Sequence, residues 1–370
     1  MTRWLLAGGG TAGHVNPLLA LADTIRAQSP EDTVLVLGTA EGLESRLVPL
    51  RGYELLIIPK VPFPRRPDSA AVQFPMRLRA AVRQTKQLML DHQIEQVIGF
   101  GGFAAAPAYL AAAGAGAALS LHEANARPGL ANRLGARSAS RVGVAFEGTP
   151  LPGAVHVGMP LRPELVRLAD PSVRAEVRNE AAAHFGLDPA RPVLLVTGGS
   201  QGALRLNTAV TAAAQEITDL GWQVVHLTGD RHTLPEGLPE GYVPLHYADR
   251  MDLALALADA AISRSGAATT SELTALGIPA IYIPYPVGNG EQRLNAAGVV
   301  QAGGALLVDD AEFDAAWIRA NVVPLLDNRD RLAEMAGRAS ALGVLDGSER
   351  MLDLARTAVP RRGRGGGAEA

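Results

Sequence analysis

Twice in this chain a short apolar run ends in a glycine-rich turn that opens a helix-length stretch. Residues 4–7 lead into Gly8-Gly9-Gly10-Thr11-Ala12-Gly13, and residues 192–196 lead into Thr197-Gly198-Gly199-Ser200-Gln201-Gly202. Strand, glycine turn, helix is the opening of a βαβ unit. Its recurrence half a chain later is an internal pseudo-repeat. The expected fold class is therefore α/β, built as two Rossmann-like, doubly wound domains facing a cleft. A length of 370 residues suits two domains better than one core.

The remaining pattern agrees. Short apolar runs at residues 4–7, 33–37, 55–58, 96–98, 117–121 and 141–144 alternate with amphipathic stretches. A second series follows at residues 193–196, 223–227, 243–245, 260–263, 280–283 and 305–308. Runs of this length separated by helical patterns predict parallel sheets with crossover helices. Gly158-Met159-Pro160-Leu161-Arg162 breaks the pattern and places the boundary there. Residues 360–370, rich in Arg and Gly, read as a disordered tail.

Composition removes several function classes. The net charge of −3 gives no basic field of the kind nucleic-acid binders carry, so no nucleic-acid partner is expected. The absence of cysteine excludes disulfides, thiolate metal sites and cysteine nucleophiles, and suits a reducing compartment. The uncharged stretch at residues 97–121 is long enough to span a membrane. It is mostly Ala and Gly, which favour insertion weakly, so strand, loop, helix and strand is the better reading.

Both glycine turns place backbone N–H groups and the positive end of a helix dipole at a sheet edge, a ready anion site. The first turn fits G-x-G-x-x-G, but a dinucleotide site also wants an acid closing the second strand, and Glu41 is loosely placed for that. No nicotinamide cofactor, and no other cofactor, is expected. His14 follows Gly13 at a helix start, where the dipole disfavours its protonated form. It is the candidate base for deprotonating a hydroxyl. A second cluster, Ser263-Arg264-Ser265-Gly266 through Glu272, also opens a helix. Ser265 and the N–H groups after it suit a phosphate, and Glu272 suits the two hydroxyls of a ribose. The loop Gly288-Asn289-Gly290-Glu291-Gln292 offers amide and carboxylate groups for sugar hydroxyls. There is no Asp-x-Asp metal motif. Asp309-Asp310 is read as a loop away from these turns, and no metal ligands are assigned.

Seven segments in order carry a family resemblance. They are Gly9-Gly10-Thr11-Ala12-Gly13-His14-Val15-Asn16-Pro17; Gly99-Phe100-Gly101-Gly102-Phe103; His122-Glu123-Ala124-Asn125 through Arg133; Gly158-Met159-Pro160-Leu161-Arg162; Gly198-Gly199-Ser200-Gln201-Gly202-Ala203 with Asn207; Arg264-Ser265-Gly266-Ala267 through Glu272; and Glu291-Gln292 before Asn295-Ala296. From Trp4 to about Ala358 the chain resembles the MurG family of bacterial N-acetylglucosaminyltransferases, inverting GT-B enzymes that form lipid II in peptidoglycan synthesis.

The resemblance implies an N-terminal acceptor domain over 1–159 and a UDP-N-acetylglucosamine domain over 160–345, with a helix near 346–358 packing back on the first. On the donor side it implies Thr11, Gly13, Arg162, Ser200, Gln201, Gly202, Asn207, Ser265 and Gly266. Met251 would also be on the donor side, Tyr247 and Ala248 would lie against uracil, Glu272 on the ribose, and Glu291 and Gln292 on the sugar. On the acceptor side it implies Phe103, His122, Glu123 and Asn125, with His14 as base. Phe103, Ala124, Met159 and Glu291 stand where the family more often has Tyr, Gln, Asn, and Gln or His. The implied partners are UDP-N-acetylglucosamine, undecaprenyl-linked lipid I and other cell-wall or division proteins.

Residues 74–90 mix Phe, Met and Leu with Arg77, Arg79, Arg83 and Lys86, the pattern of a helix on an anionic membrane surface. With a lipid-linked acceptor, peripheral attachment at the cytoplasmic face of the cell membrane is expected. Rival readings are another GT-B transferase, a UDP-N-acetylglucosamine 2-epimerase-like enzyme, and a nucleotide-binding protein without turnover.

Overall fold

The computed structural model describes residues 1–64, 69–199 and 202–360. The tail expected at 360–370 lies outside them from residue 361 on. The chain divides into two compact units. One is Met1–Arg162 joined by the segment from Asp346 onward, and the other is Pro163–Leu345.

In the first unit, strands and helices alternate: β1 (Arg3–Gly8), α1 (Ala12–Gln28), β2 (Thr33–Gly38), α2 (Glu44–Leu50), β3 (Glu54–Ile57), α3 (Ser69–Asp91), β4 (Gln96–Gly101), α4 (Ala105–Ala115), β5 (Ala118–Glu123), α5 (Leu130–Gly135), β6 (Arg141–Val144) and β7 (Ala154–His156). Among the described residues they form a parallel sheet in the order β3-β2-β1-β4-β5-β6-β7. Central strands such as Leu5-Leu6-Ala7 are fully buried, as expected for a sheet covered on both faces. The uncharged stretch at 97–121 becomes β4, α4 and β5. Helix α4 is Ala-rich and buried nearly all round, which explains its lack of an amphipathic pattern. Among the described residues no helix is long and apolar enough to cross a membrane. Each residue of strand β7 is exposed, so it carried no apolar run for the sequence reading to find.

The second unit contains α6 (Pro163–Val166), α7 (Pro171–Phe185), β8 (Val193–Thr197), α8 (Leu204–Thr211), α9 (Ala214–Asp219), β9 (Gln223–Leu227), β10 (Tyr242–Leu245), α10 (Met251–Leu257), β11 (Ala258–Ser263), α11 (Ala267–Ala275), β12 (Ala280–Tyr282), α12 (Glu291–Gln301) and β13 (Ala305–Leu307). Helices α13 (Ala315–Trp317), α14 (Val323–Asp327) and α15 (Arg329–Ser340) follow. The sheet order is β10-β9-β8-β11-β12-β13, again parallel. Helix α16 (Gly347–Arg356) returns to the first unit. Its Met351, Leu352 and Ala355 join Trp4, Leu6, Val15 and Phe100 in one core.

In both sheets the strand order reverses beside the strand that carries the glycine turn, at β1/β4 and at β8/β11. In open α/β sheets this switch point is where ligands bind, beyond the carboxyl ends of the strands.

Candidate active site at the two switch points

At the first switch point the turns after β1 and β4 meet backbone to backbone. A Cβ on Gly102 would collide with the Gly9 carbonyl. Thr11 is the N-cap residue of α1, and His14 lies in that helix's first turn. The ring Nδ1 of His14 faces Thr11 Oγ1 at 3.2 Å. Nε2 lies over Gly101, where a Cβ would stand 3.2 Å from it. Burial is the main influence on the imidazole and lowers its pKa; Glu123, the Gly9 carbonyl and Glu44 pull the other way without reversing it. The sequence reading rested on the helix dipole, whereas desolvation is the larger cause. Phe103 packs beside this turn, 4.0 Å from where a Gly10 Cβ would stand, with Lys60 Nζ 5.0 Å from its ring centroid.

The next loop is held from inside. Glu123 is buried. Its Oε1 accepts from the Asn125 N–H at 2.9 Å, and its Oε2 accepts from the Gly129 N–H at 2.9 Å and from Asn132 Nδ2 at 3.0 Å. His122 is fully buried, and its Nε2 lies 2.9 Å from the Gly158 carbonyl oxygen. Burial pushes its pKa down to about 4. Of the residues expected on the acceptor side, His122 and Glu123 shape the loop from beneath, while Asn125 is only partly buried. Ala124 and Met159 are both buried.

At the second switch point Gly199 N–H donates to Thr197 Oγ1 at 3.2 Å, and Gly202 N–H to the Gly199 carbonyl at 2.9 Å. Ser200 and Gln201 lie outside the described residues. Gly202 has φ +72°, and a Cβ there would collide with the Thr228 carbonyl. Asn207 is buried. Its Nδ2 donates to that same carbonyl at 2.9 Å, and its Oδ1 lies 3.1 Å from His226 Nε2. His226 Nδ1 in turn is 2.6 Å from the Tyr242 hydroxyl. Both ends of the Asn207 amide are engaged within the fold, so this side chain braces the turn.

The turn after β11 holds Arg264, Ser265 and Gly266, with Gly266 the N-cap of α11. Arg264 is buried and donates to the Ile283 and Pro284 carbonyls at 3.0 and 3.2 Å. It also pairs with Asp310 at 2.6 Å, and the other Asp310 oxygen is 3.3 Å from Arg205 Nε in α8. Asp310 therefore does not lie away from the turns, as the sequence suggested; it ties the turn after β11 to the start of α8. Ser265 is fully buried, and its Oγ has no hydrogen-bond partner among the described residues. Glu272 is partly buried in the second turn of α11. Gln292 Oε1 accepts from the Tyr285 N–H at 2.9 Å, and Glu291 opens α12. Tyr247 is exposed, whereas Ala248 packs into the core and can offer only backbone outward. Met251 begins α10.

Residues 4–144 match the model of the glycosyltransferase family 28 N-terminal domain, and residues 193–351 match that of its C-terminal domain. The chain belongs to glycosyltransferase family 28. Its similarity to family relatives runs end to end. It is 61% identical over 360 residues to a UDP-N-acetylglucosamine–N-acetylmuramyl-(pentapeptide) pyrophosphoryl-undecaprenol N-acetylglucosamine transferase from Leifsonia xyli subsp. xyli, covering 97% of this chain and 99% of that one. It is 48% identical to the transferase of the same name from Streptomyces avermitilis, covering 97% and 99%. Among solved structures it resembles Acinetobacter baumannii MurG with a TM-score of 0.77 and 25% identity, covering 96% and 99%. The calicheamicin glycosyltransferase CalG4 shares the fold at a TM-score of 0.63 and 18% identity, covering 96% and 97%. The fold is thus that of GT-B glycosyltransferases, with two Rossmann-like domains.

Set in this family 28 frame, the structure brings Thr11, Gly13 and His14 together at the first switch point, with Phe103 beside them. Gly202, Ser265 and Gly266 belong to the second, in the other unit. Arg162 ends the first unit's N-terminal stretch, next to the crossing into the second unit at Pro163. Sequence reasoning missed Glu44, whose carboxylate reaches Gly10, and Asp310. A Glu six residues after a strand-closing glycine, amid Gly38 and Gly42, was the available signal for the first. For the second the sequence offered only an acidic pair next to a strand.

Proposed function

We propose that this protein is an inverting transferase that moves N-acetylglucosamine from UDP-N-acetylglucosamine to the 4-hydroxyl of the N-acetylmuramyl residue of undecaprenyl-linked lipid I, forming lipid II. What supports this most directly is the 61% identity over nearly the whole chain to a transferase carrying that name. The second-unit turns take the donor. Ser265 and the N–H groups opening α11 face the diphosphate, with Arg162 assigned to the same group. Glu272 accepts from the ribose hydroxyls, the backbone at Ala248 lies against uracil, and Gln292 and Glu291 read the sugar.

The first-unit turn takes the acceptor hydroxyl. With its proton on Nδ1 and Thr11 Oγ1 accepting it, His14 is left with Nε2 as the base. The acceptor oxygen attacks C1 of the donor sugar from the face opposite UDP. Its bond to C1 forms as the C1–phosphate oxygen bond breaks, and its proton passes to Nε2. Charge leaves on the diphosphate, where fixed N–H dipoles stabilise it without reorganisation. A diphosphate leaves readily, so the paired carboxylates of glycosidases are not needed.

Helix α3 carries the membrane reading. Arg77, Arg79, Arg83 and Lys86 are exposed on it, as are Val72 and Met76. Cations interleaved with exposed apolar groups suit the surface of an anionic bilayer that holds a lipid-linked acceptor. Peripheral attachment on the cytoplasmic face follows, and contacts with other cell-wall or division proteins are compatible with it. The test of the reaction is the product. Radiolabelled UDP-N-acetylglucosamine with a lipid I analogue yields a β-linked disaccharide; an α linkage contradicts inversion, and no disaccharide contradicts the transfer.

A further inference from the structure

Glu44 opens α2 with its side chain fully buried against the first glycine turn. Its Oε2 accepts from the Gly10 N–H at 2.8 Å, and its Oε1 accepts from the N–H and the hydroxyl of Thr39, both at 2.9 Å. The carboxylate fills a hole made by missing side chains, because a Cβ on Gly9, Gly38 or Gly42 would overlap it. Burial pushes the carboxyl pKa up, but the donors at Gly10 and Thr39 outweigh it and hold the group below its usual value, so it is charged at neutral pH.

A glycine turn before a helix ordinarily offers its N–H groups to a ligand anion. Here Gly10 offers its N–H to the chain's own carboxylate, four residues before His14. The second turn differs. Thr197 Oγ1 accepts there from Gly199, and the charges near it among the described residues include Arg205 and Arg264, joined through Asp310.

We propose that Glu44 is a positioning residue for His14 and the built-in anion of the first glycine turn, which therefore takes no substrate phosphate. The inference rests on the transferase reading. A fixed negative charge repels a second anion at the same N–H groups. The turn instead sets the height of Thr11 and His14 over Gly101, and the acceptor's diphosphate is held by other groups.

The test compares kcat and KM for both substrates in the full chain, wild type, Glu44→Gln, Glu44→Ala and His14→Ala, with thermal unfolding to confirm folding. Since a general base contributes about 10²–10⁴-fold, displacing it lowers kcat of Glu44→Gln on the order of tenfold, with donor KM held within about twofold. Sodium formate, a small carboxylate able to enter the vacated hole, restores Glu44→Ala several-fold and leaves the wild type unchanged. In a His14→Ala background Glu44→Gln costs nothing further, because the two residues act as one unit. A folded Glu44→Gln enzyme with wild-type kcat overturns the proposal, as does a full additional loss on top of His14→Ala. So does a lower acceptor KM in Glu44→Gln with kcat maintained, which is the mark of a turn that does receive the acceptor's phosphates. A wild-type rate in His14→Ala fails the base assignment by itself, separately from the Glu44 variants.

Discussion

The hydroxyl of Tyr109 donates to Asn132 Oδ1 at 2.5 Å and accepts from the Gly101 N–H at 3.3 Å. Asn132 passes the connection on, donating Nδ2 to Glu123 Oε2 and to the His122 carbonyl. One buried phenol thus ties the turn beneath His14 to the loop that carries Asn125. The ring has room because positions 99 and 135 are glycine; a Cβ at either would run into it.

Tyr109→Phe keeps the ring and removes only the hydroxyl, leaving a buried carbonyl and a buried N–H unpaired. The expected loss is about 1–3 kcal/mol. That is a drop of several degrees in Tm for a domain of this size. A fall in kcat should accompany it, with donor KM little changed. Unfolding curves and steady-state kinetics check both, and an unchanged Tm contradicts the bridge.

In the proposed reading, Asp310 acts on the donor side. Asp310→Ala leaves the Arg264 guanidinium buried without its carboxylate, a change that costs about 3–5 kcal/mol when a buried pair loses one member. The turn at Ser265 and the start of α8 lose their common partner. Donor KM should rise several-fold while acceptor KM stays put. A donor KM equal to wild type in a folded variant removes Asp310 from this role.

Acid stability is set partly by two histidines. Burial pushes both His122 and His226 down to about 4. An unfolded histidine takes its proton near 6.5, so between about pH 6.5 and 4 the unfolded chain binds more protons than the folded one. Stability is full above that window and falls as pH drops through it, by up to about 1.4 kcal/mol per pH unit for each histidine. Denaturant midpoints at pH 7 and pH 5 should differ, and His226→Gln should flatten the difference. Equal midpoints in the wild type contradict the burial of neutral imidazoles.

All the strands but the exposed β7, and both glycine turns, were legible in the sequence because parallel strands buried on two faces write continuous apolar runs, and turns of positive φ write glycine. What the sequence hid is what tertiary contact decides. Glu44 reaches Gly10 across 34 positions, while the strand-end acid that a motif would point to, Glu41, is exposed. Nothing in the sequence around Asn207 announces the His226 ring and the Thr228 carbonyl that the fold brings to its two ends. Asp310 reads as a loop acid until the fold brings two arginines to it.

Membrane attachment through α3 has a direct assay. Arg77→Ala, Arg79→Ala and Arg83→Ala together should weaken sedimentation with anionic phosphatidylglycerol vesicles by on the order of 10²-fold, at about 1 kcal/mol per cation. Turnover of a short-chain, water-soluble acceptor analogue should not change. Equal sedimentation of the triple variant and the wild type contradicts the role of this helix.

The most direct test of transfer is UDP release from UDP-N-acetylglucosamine, followed with and without a lipid-linked muramyl-pentapeptide acceptor, in wild type and His14→Ala. The account predicts release that depends on the acceptor and falls by at least about 10²-fold in the variant. Release at the same rate without acceptor contradicts it.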